Sequence, residues 1–149
     1  MPARLESRNH VTAPRITVGD RLPVITHTPT NVQLFRFSSA TWNAHRIHYD
    51  TEYAKIEGYP DVLVQSHLHA SLLVKAVLEC AGGTARLKRF RWENRAIAVP
   101  GDTLTYTGEV IGVTETDSAF LVDWALESHN QDGVLCAPGW ATVQIPKED

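Results

Sequence analysis

The segment SHLHASLLVKAVLECAGG, residues 66–83, places Leu68, Leu72, Leu73, Ala76, Val77 and Cys80 at helical spacing. The apolar set is too broad for one surface stripe, so a helix here has to be enclosed by other elements. Ser66 is placed to cap its start and Gly82-Gly83 to stop it, which predicts a helix over about residues 66–81. Strand material follows. ARLKRFRWENRAIAVP, DTLTYTGEVIGVTET, SAFLVDWALESHNQDG and VLCAPGWATVQIP are rich in β-branched and aromatic residues. Turn residues at Pro100-Gly101-Asp102, Asp117-Ser118 and Gln131-Asp132-Gly133 divide them. One enclosed helix followed by antiparallel strands is an α+β pattern, and a sheet curling around the helix satisfies it.

Ahead of the helix the chain is less regular. Residues 1–14 read as a polar extension, and 15–149 as a single domain of a size that supports one core. RITVGDRLP reads as a short strand turning at Gly19-Asp20, and LPVITHTPT as a second strand. Thr30 followed by Gln33 has the form of a capping box, which predicts a helix over 31–41, although the aromatic content suits a strand equally. Asp50 caps one or two helical turns that end at Gly58, and Val62–Val64 is extended.

Several function classes drop out. A net charge of −3 leaves no electrostatic footprint for nucleic acid. No apolar run is long enough to span a membrane, and the first residues lack an apolar stretch of signal-peptide length. Cys80 and Cys136 have no CxxC or metal spacing and sit in apolar surroundings, so buried free thiols in a reducing, cytoplasmic compartment are expected.

The chemistry-bearing residues concentrate in TWNAHRIHYD, residues 41–50. His45 and His48 lie three apart, but no further ligands follow at zinc spacing, so no metal site is expected. No serine sits in a G-x-S-x-G context to serve as nucleophile. General acid–base chemistry remains, with a histidine as proton carrier and the Asn43 amide holding a water or a polarised oxygen beside it. The plain alternative is that these histidines cap a turn. A second half-site lies at the helix start, where the free N–H groups of Ser66 and His67 and the helix dipole favour developing negative charge. That is how an oxyanion is held, and also how any helix begins. His67 is placed to face such a site; His69 is not.

The run from FSSATWNAHRIHYD through EGYPD to VLVQSHLHASLL resembles the signature region of the MaoC-like hot-dog hydratases and dehydratases. The branch it is most similar to includes mesaconyl-CoA hydratases and 3-hydroxyacyl-thioester dehydratases. VPGDTL at 99–104 is similar to the segment after the family's helix, and the resemblance extends over about residues 15–145. It implies a hot-dog fold, a curved antiparallel sheet wrapped around one long central helix, dimeric, with the thioester bound near the subunit interface. It implies a hydro-lyase adding water to, or removing it from, an enoyl or 3-hydroxyacyl thioester of coenzyme A or acyl carrier protein, with no other cofactor. Carried over by position, His48 is the catalytic histidine and Asn43 stands where the wider family has aspartate. Gln65-Ser66 replaces the family's His-Gly at the helix start, so Gln65, Ser66, His67 and His45 are the expected thioester-binding positions.

Arg89 and Arg91, with Arg86 and Lys88, are candidates to meet coenzyme A phosphates or an acidic carrier protein; a solvated strand face is the alternative. Tyr59, Trp92 and Trp140 are expected as core or interface aromatics, and Asp102 as a turn residue. Two further functions stay open. A thioesterase on the same fold needs a carboxylate near the carbonyl, and Glu79 lies about three turns from the helix start, leaving Asp61. A non-catalytic thioester-binding subunit of a heteromeric hydratase is the other, so the partner is a second copy or another hot-dog chain.

Overall fold

Caps and prolines decide where the elements of this chain begin and end. The computed structural model describes residues 16–147, so the expected extension over 1–14 lies outside it. In chain order the elements are β1 (Ile25–His27), α1 (Asn31–Thr41), a 3₁₀ turn (Arg46–His48), α2 (Thr51–Ile56) and α3 (Ser66–Ala81). Four strands follow: β2 (Arg86–Trp92), β3 (Leu104–Glu115), β4 (Ala119–His129) and β5 (Leu135–Pro146). Among the described residues, five strands form one antiparallel sheet in the order β1-β3-β4-β5-β2.

The period of two along β4 shows how the sheet encloses its helix. Val122, Trp124, Leu126 and Ser128 are buried, and the alternate residues are more exposed. Their buried face meets α3, which packs against β2, β3, β4 and β5. Leu68, Leu73, Ala76 and Val77 supply the helix side of this core. Close approach depends on Gly139, where an added Cβ would come within 3.2 Å of Leu73 Cδ1 and 3.3 Å of Phe90 Cε2. This is the expected hot-dog arrangement.

Four local expectations are corrected. In place of the strand expected over RITVGDRLP, residues 16–23 form a turn, closed by Thr17 N donating to Asp20 Oδ2 at 2.8 Å, and meet β3 through an isolated bridge at Arg21 and a bond from Gly19 N to the Val110 carbonyl. Pro23, with no N–H, stops any ladder there. The strand expected over 85–100 ends at Trp92. Glu93 N donates to the Pro138 carbonyl, but Pro138 has no N–H to return the bond. The N-cap of α3 is Gln65, with Ser66 already helical. Cys80 is exposed and Cys136 buried, so only one of the two expected buried thiols is buried. The capping box at α1 is half made. Thr30 Oγ1 accepts from Gln33 N, while the Gln33 side chain turns away to His27 Nε2 at 2.7 Å.

Candidate active site

The 3₁₀ turn exists because both of its ends are tied. His45 Nδ1 accepts from Ile47 N at its start. Asp50 caps α2 by accepting from Tyr53 N at 3.0 Å, and its other oxygen holds Arg46 Nη2 at 2.6 Å. The segment before α3 then docks against the turn, with Leu63 N donating to the Ile47 carbonyl at 2.8 Å. His48 returns the contact, its Nδ1 lying 2.8 Å from the Leu63 carbonyl. A carbonyl only accepts, so Nδ1 carries the proton and Nε2 keeps its lone pair. Burial lowers the His48 pKa, the Leu63 bond offsets part of that effect, and His45 adds to the lowering. The result is a neutral imidazole at neutral pH with a free basic nitrogen. It lines a cavity of about 260 Å³ with Asn31, Val32, Phe35, Tyr49 and Val62.

Asn43 follows the end of α1. Trp42 takes a left-handed conformation (φ 54°) at the cap, and the Trp42 and Asn43 N–H groups both donate to the Ser38 carbonyl. That reversal brings Asn43 to the wall of a second cavity, of about 470 Å³, where Phe35, Ser38, Trp42 and Tyr49 also line it. Asn43 and His48 therefore face adjoining cavities that share Phe35 and Tyr49. His45 is exposed, its ring 6.1 Å from that of His48, and it lines neither cavity. Its role here is the turn cap.

At the start of α3, Leu68 N and His69 N both donate to the Gln65 carbonyl, and the N–H groups of Ser66 and His67 have no partner within the helix. Ser66 Oγ accepts from Trp92 Nε1 at 2.9 Å, and the exposed His67 ring meets the Trp92 ring edge-on at 5.1 Å. Gln65 departs from the thioester-facing position expected of it. Its side chain is fully buried and turned toward α1, where Nε2 donates to the Leu34 carbonyl at 2.8 Å and to Ser38 Oγ at 3.0 Å. His69, one turn on, is 1% exposed with no partner for Nδ1, and burial depresses its pKa to about 4.

Phe35, Ser38 and Tyr49 are cavity residues that sequence reasoning passed over. The only trace of Ser38 was its i+4 spacing from the buried Leu34, which places both on one helical face. Arg89 and Arg91 are not brought to His48. Phe90 and Trp92 face the core side, so the arginines project from the other face of the sheet. Arg91 lies 4.1 Å over the Trp140 ring there, beside a groove that also holds Asp123 and Thr142. Asp102 accepts from Val99 N and fixes its turn. Of the carboxylates a thioesterase could use, Glu79 is exposed beside Lys75, and Asp61 accepts from Val62 N at 2.7 Å. Among the described residues, no three His, Cys, Asp or Glu side chains cluster as a metal needs, and no helix is long and apolar enough to cross a membrane.

Known proteins share this sequence and shape. A family model described as hydroxyacyl-thioester dehydratase type 2 matches residues 4–100. The mesaconyl-C(4)-CoA hydratase of Chloroflexus aurantiacus is 58% identical over 43 residues, covering 28% of this chain and 15% of that protein. The mitochondrial hydroxyacyl-thioester dehydratase type 2 of Saccharomyces cerevisiae is 31% identical over 97 residues, covering 63% and 34%. The match thus spans well under half the length of either relative. In shape, the ChsH1-ChsH2 complex from Mycobacterium tuberculosis contains a chain similar at TM-score 0.80 and 21% identity, over 88% of this chain and 99% of that one.

Proposed function

Because the chain belongs to the hydroxyacyl-thioester dehydratase type 2 family, we propose that it adds water to an enoyl thioester of coenzyme A or acyl carrier protein, and removes it in reverse. The observation that carries this reading is His48: buried, neutral, protonated on Nδ1 by its bond to Leu63, and open at Nε2 toward a cavity. A general base needs that state. The amides of Ser66 and His67 hold the thioester carbonyl and stabilise the enolate charge of the transition state. His48 Nε2 takes a proton from a water oriented by the Asn43 amide while the water oxygen bonds to Cβ, and a proton is delivered to Cα. Asn43 has no proton to take up as a carboxylate would, so the site has one base. Coenzyme A or the carrier protein arrives with the substrate, and no resident cofactor takes part.

A partner subunit belongs to the same proposal. Val32, Phe35 and Trp42, which line the two cavities, are 68%, 59% and 92% exposed, more apolar surface than an isolated chain leaves around a site. A second hot-dog chain, identical or related, covers it; the ChsH1-ChsH2 complex is an assembly of two different chains. A cytoplasmic setting suits two free cysteines.

The test is turnover of a crotonyl-type thioester, with enoyl absorbance and free thiol followed together. Loss of enoyl without thiol is expected, and His48→Ala is expected to lower the rate at least about a hundredfold, the scale of a lost general base. Thiol release points to a thioesterase. Silence on both points to a non-catalytic subunit, and unchanged turnover in His48→Ala removes His48 from the chemistry.

A further inference from the structure

Of the five hydroxyls on α1 and α3, Ser66 accepts from Trp92 Nε1 and three donate along their own helix. Ser39 donates to the Phe35 carbonyl, Thr41 to the Phe37 carbonyl and Ser71 to the His67 carbonyl, each four residues back. Ser38 does not make the matching bond to Leu34. That carbonyl takes Gln65 Nε2 instead, and the same nitrogen also donates to Ser38 Oγ. Since the Leu34 carbonyl can only accept, the amide of Gln65 must present nitrogen to α1. Ser38 Oγ is thereby an acceptor toward Gln65, and its own proton remains free. The orientation carries a cost: Gln65 Oε1 is left buried without a partner. Ser38 is 6% exposed, and it lines the 470 Å³ cavity beside Asn43.

We infer that Ser38 is a further substrate-contacting residue, donating its hydroxyl proton to the Cβ oxygen of the 3-hydroxyacyl group, and that Gln65 is the positioning residue that keeps this proton free. The inference rests on the hydro-lyase reading of the site. A neutral donor in a mostly apolar cavity is the kind of group that fixes ligand orientation. It complements Asn43, whose N–H bond to the Ser38 carbonyl holds the two residues together at 3.0 Å. Ser38 binds the oxygen and moves no proton; Gln65 touches no substrate.

The experiment measures equilibrium binding of matched pairs of short- and medium-chain 3-hydroxyacyl-CoA and saturated acyl-CoA, in a His48→Ala background that blocks turnover. The hydroxylated ligand is expected to bind more tightly, and Ser38→Ala to erase about five- to tenfold of that preference while leaving the saturated ligand unchanged, the scale of one neutral hydrogen bond. Ser38→Thr is expected to restore the preference. Gln65→Leu is expected to erase it too, because Ser38 then turns back to the Leu34 carbonyl. If Gln65→Leu does not fold, the Ser38→Ala and Ser38→Thr pair decides alone. Equal weakening of both ligands by Ser38→Ala, an untouched preference, or no binding of either ligand overturns the inference. Should the wild type hydrate no enoyl thioester while the hydroxyl preference still depends on Ser38, the inference stands and the hydro-lyase reading falls.

Discussion

Two buried histidines, His48 and His69, show how much a single hydrogen bond changes what an imidazole can do. His48 gives its Nδ1 proton to Leu63 and keeps Nε2 available at a cavity. His69 lies one turn into α3, without a partner at Nδ1, and no described cavity reaches it. Its consequence is for stability. Unfolded, the side chain takes up a proton near pH 6.5; folded, it does so only near pH 4. Between those values the unfolded chain binds more protons, so stability rises with pH. The contribution is complete above pH 6.5 and lost as pH falls toward about 4, amounting to about 3 kcal/mol. Urea unfolding across this window is expected to show the slope, and His69→Leu to flatten it; an unchanged slope in that variant assigns the effect to another group.

At the scale of elements, α1 and α3 form one unit through Gln65. The enclosed helix is held by volume on its other side. Leu73, 1% exposed, fills the space that Gly139 leaves open on β5. Leu73→Ala is expected to lower unfolding free energy by about 2–5 kcal/mol in denaturant titration, because a closely packed sheet cannot collapse into the void. A loss under about 1 kcal/mol would mean that the sheet follows the helix inward. The same enclosure explains why element prediction worked best here: a broad apolar helix bounded by Gly82-Gly83 has one solution. It worked least well at RITVGDRLP, where strand-forming residues were overruled by the Asp20 turn and by Pro23.

At the scale of the whole molecule, α3 packs on one side of the sheet among the described residues, and Arg89 and Arg91 lie on the other. On the other side Arg91 rests on Trp140, beside a groove that His48 does not line. The exposed Val32, Phe35 and Trp42 ask for cover. Sedimentation of the purified protein is therefore expected to give at least twice the 16.6 kDa of one chain. A strictly monomeric protein sinks self-association and leaves a different hot-dog chain as the partner.

The order of elements from β1 onward, the enclosed helix, the strand alternation and the candidacy of His48 and Asn43 were legible along the chain, because each rests on local spacing and on a short run of residues. The free proton of Ser38, the inward turn of Gln65 and the separation of Arg89 and Arg91 from His48 were not. The first two depend on which group faces a given acceptor 27 and 31 positions away in the chain, and the third on which side of the sheet a β2 residue takes. Hydrogen bonding at that separation is set by how α1, the 3₁₀ turn and α3 pack together, and the tertiary structure alone decides it.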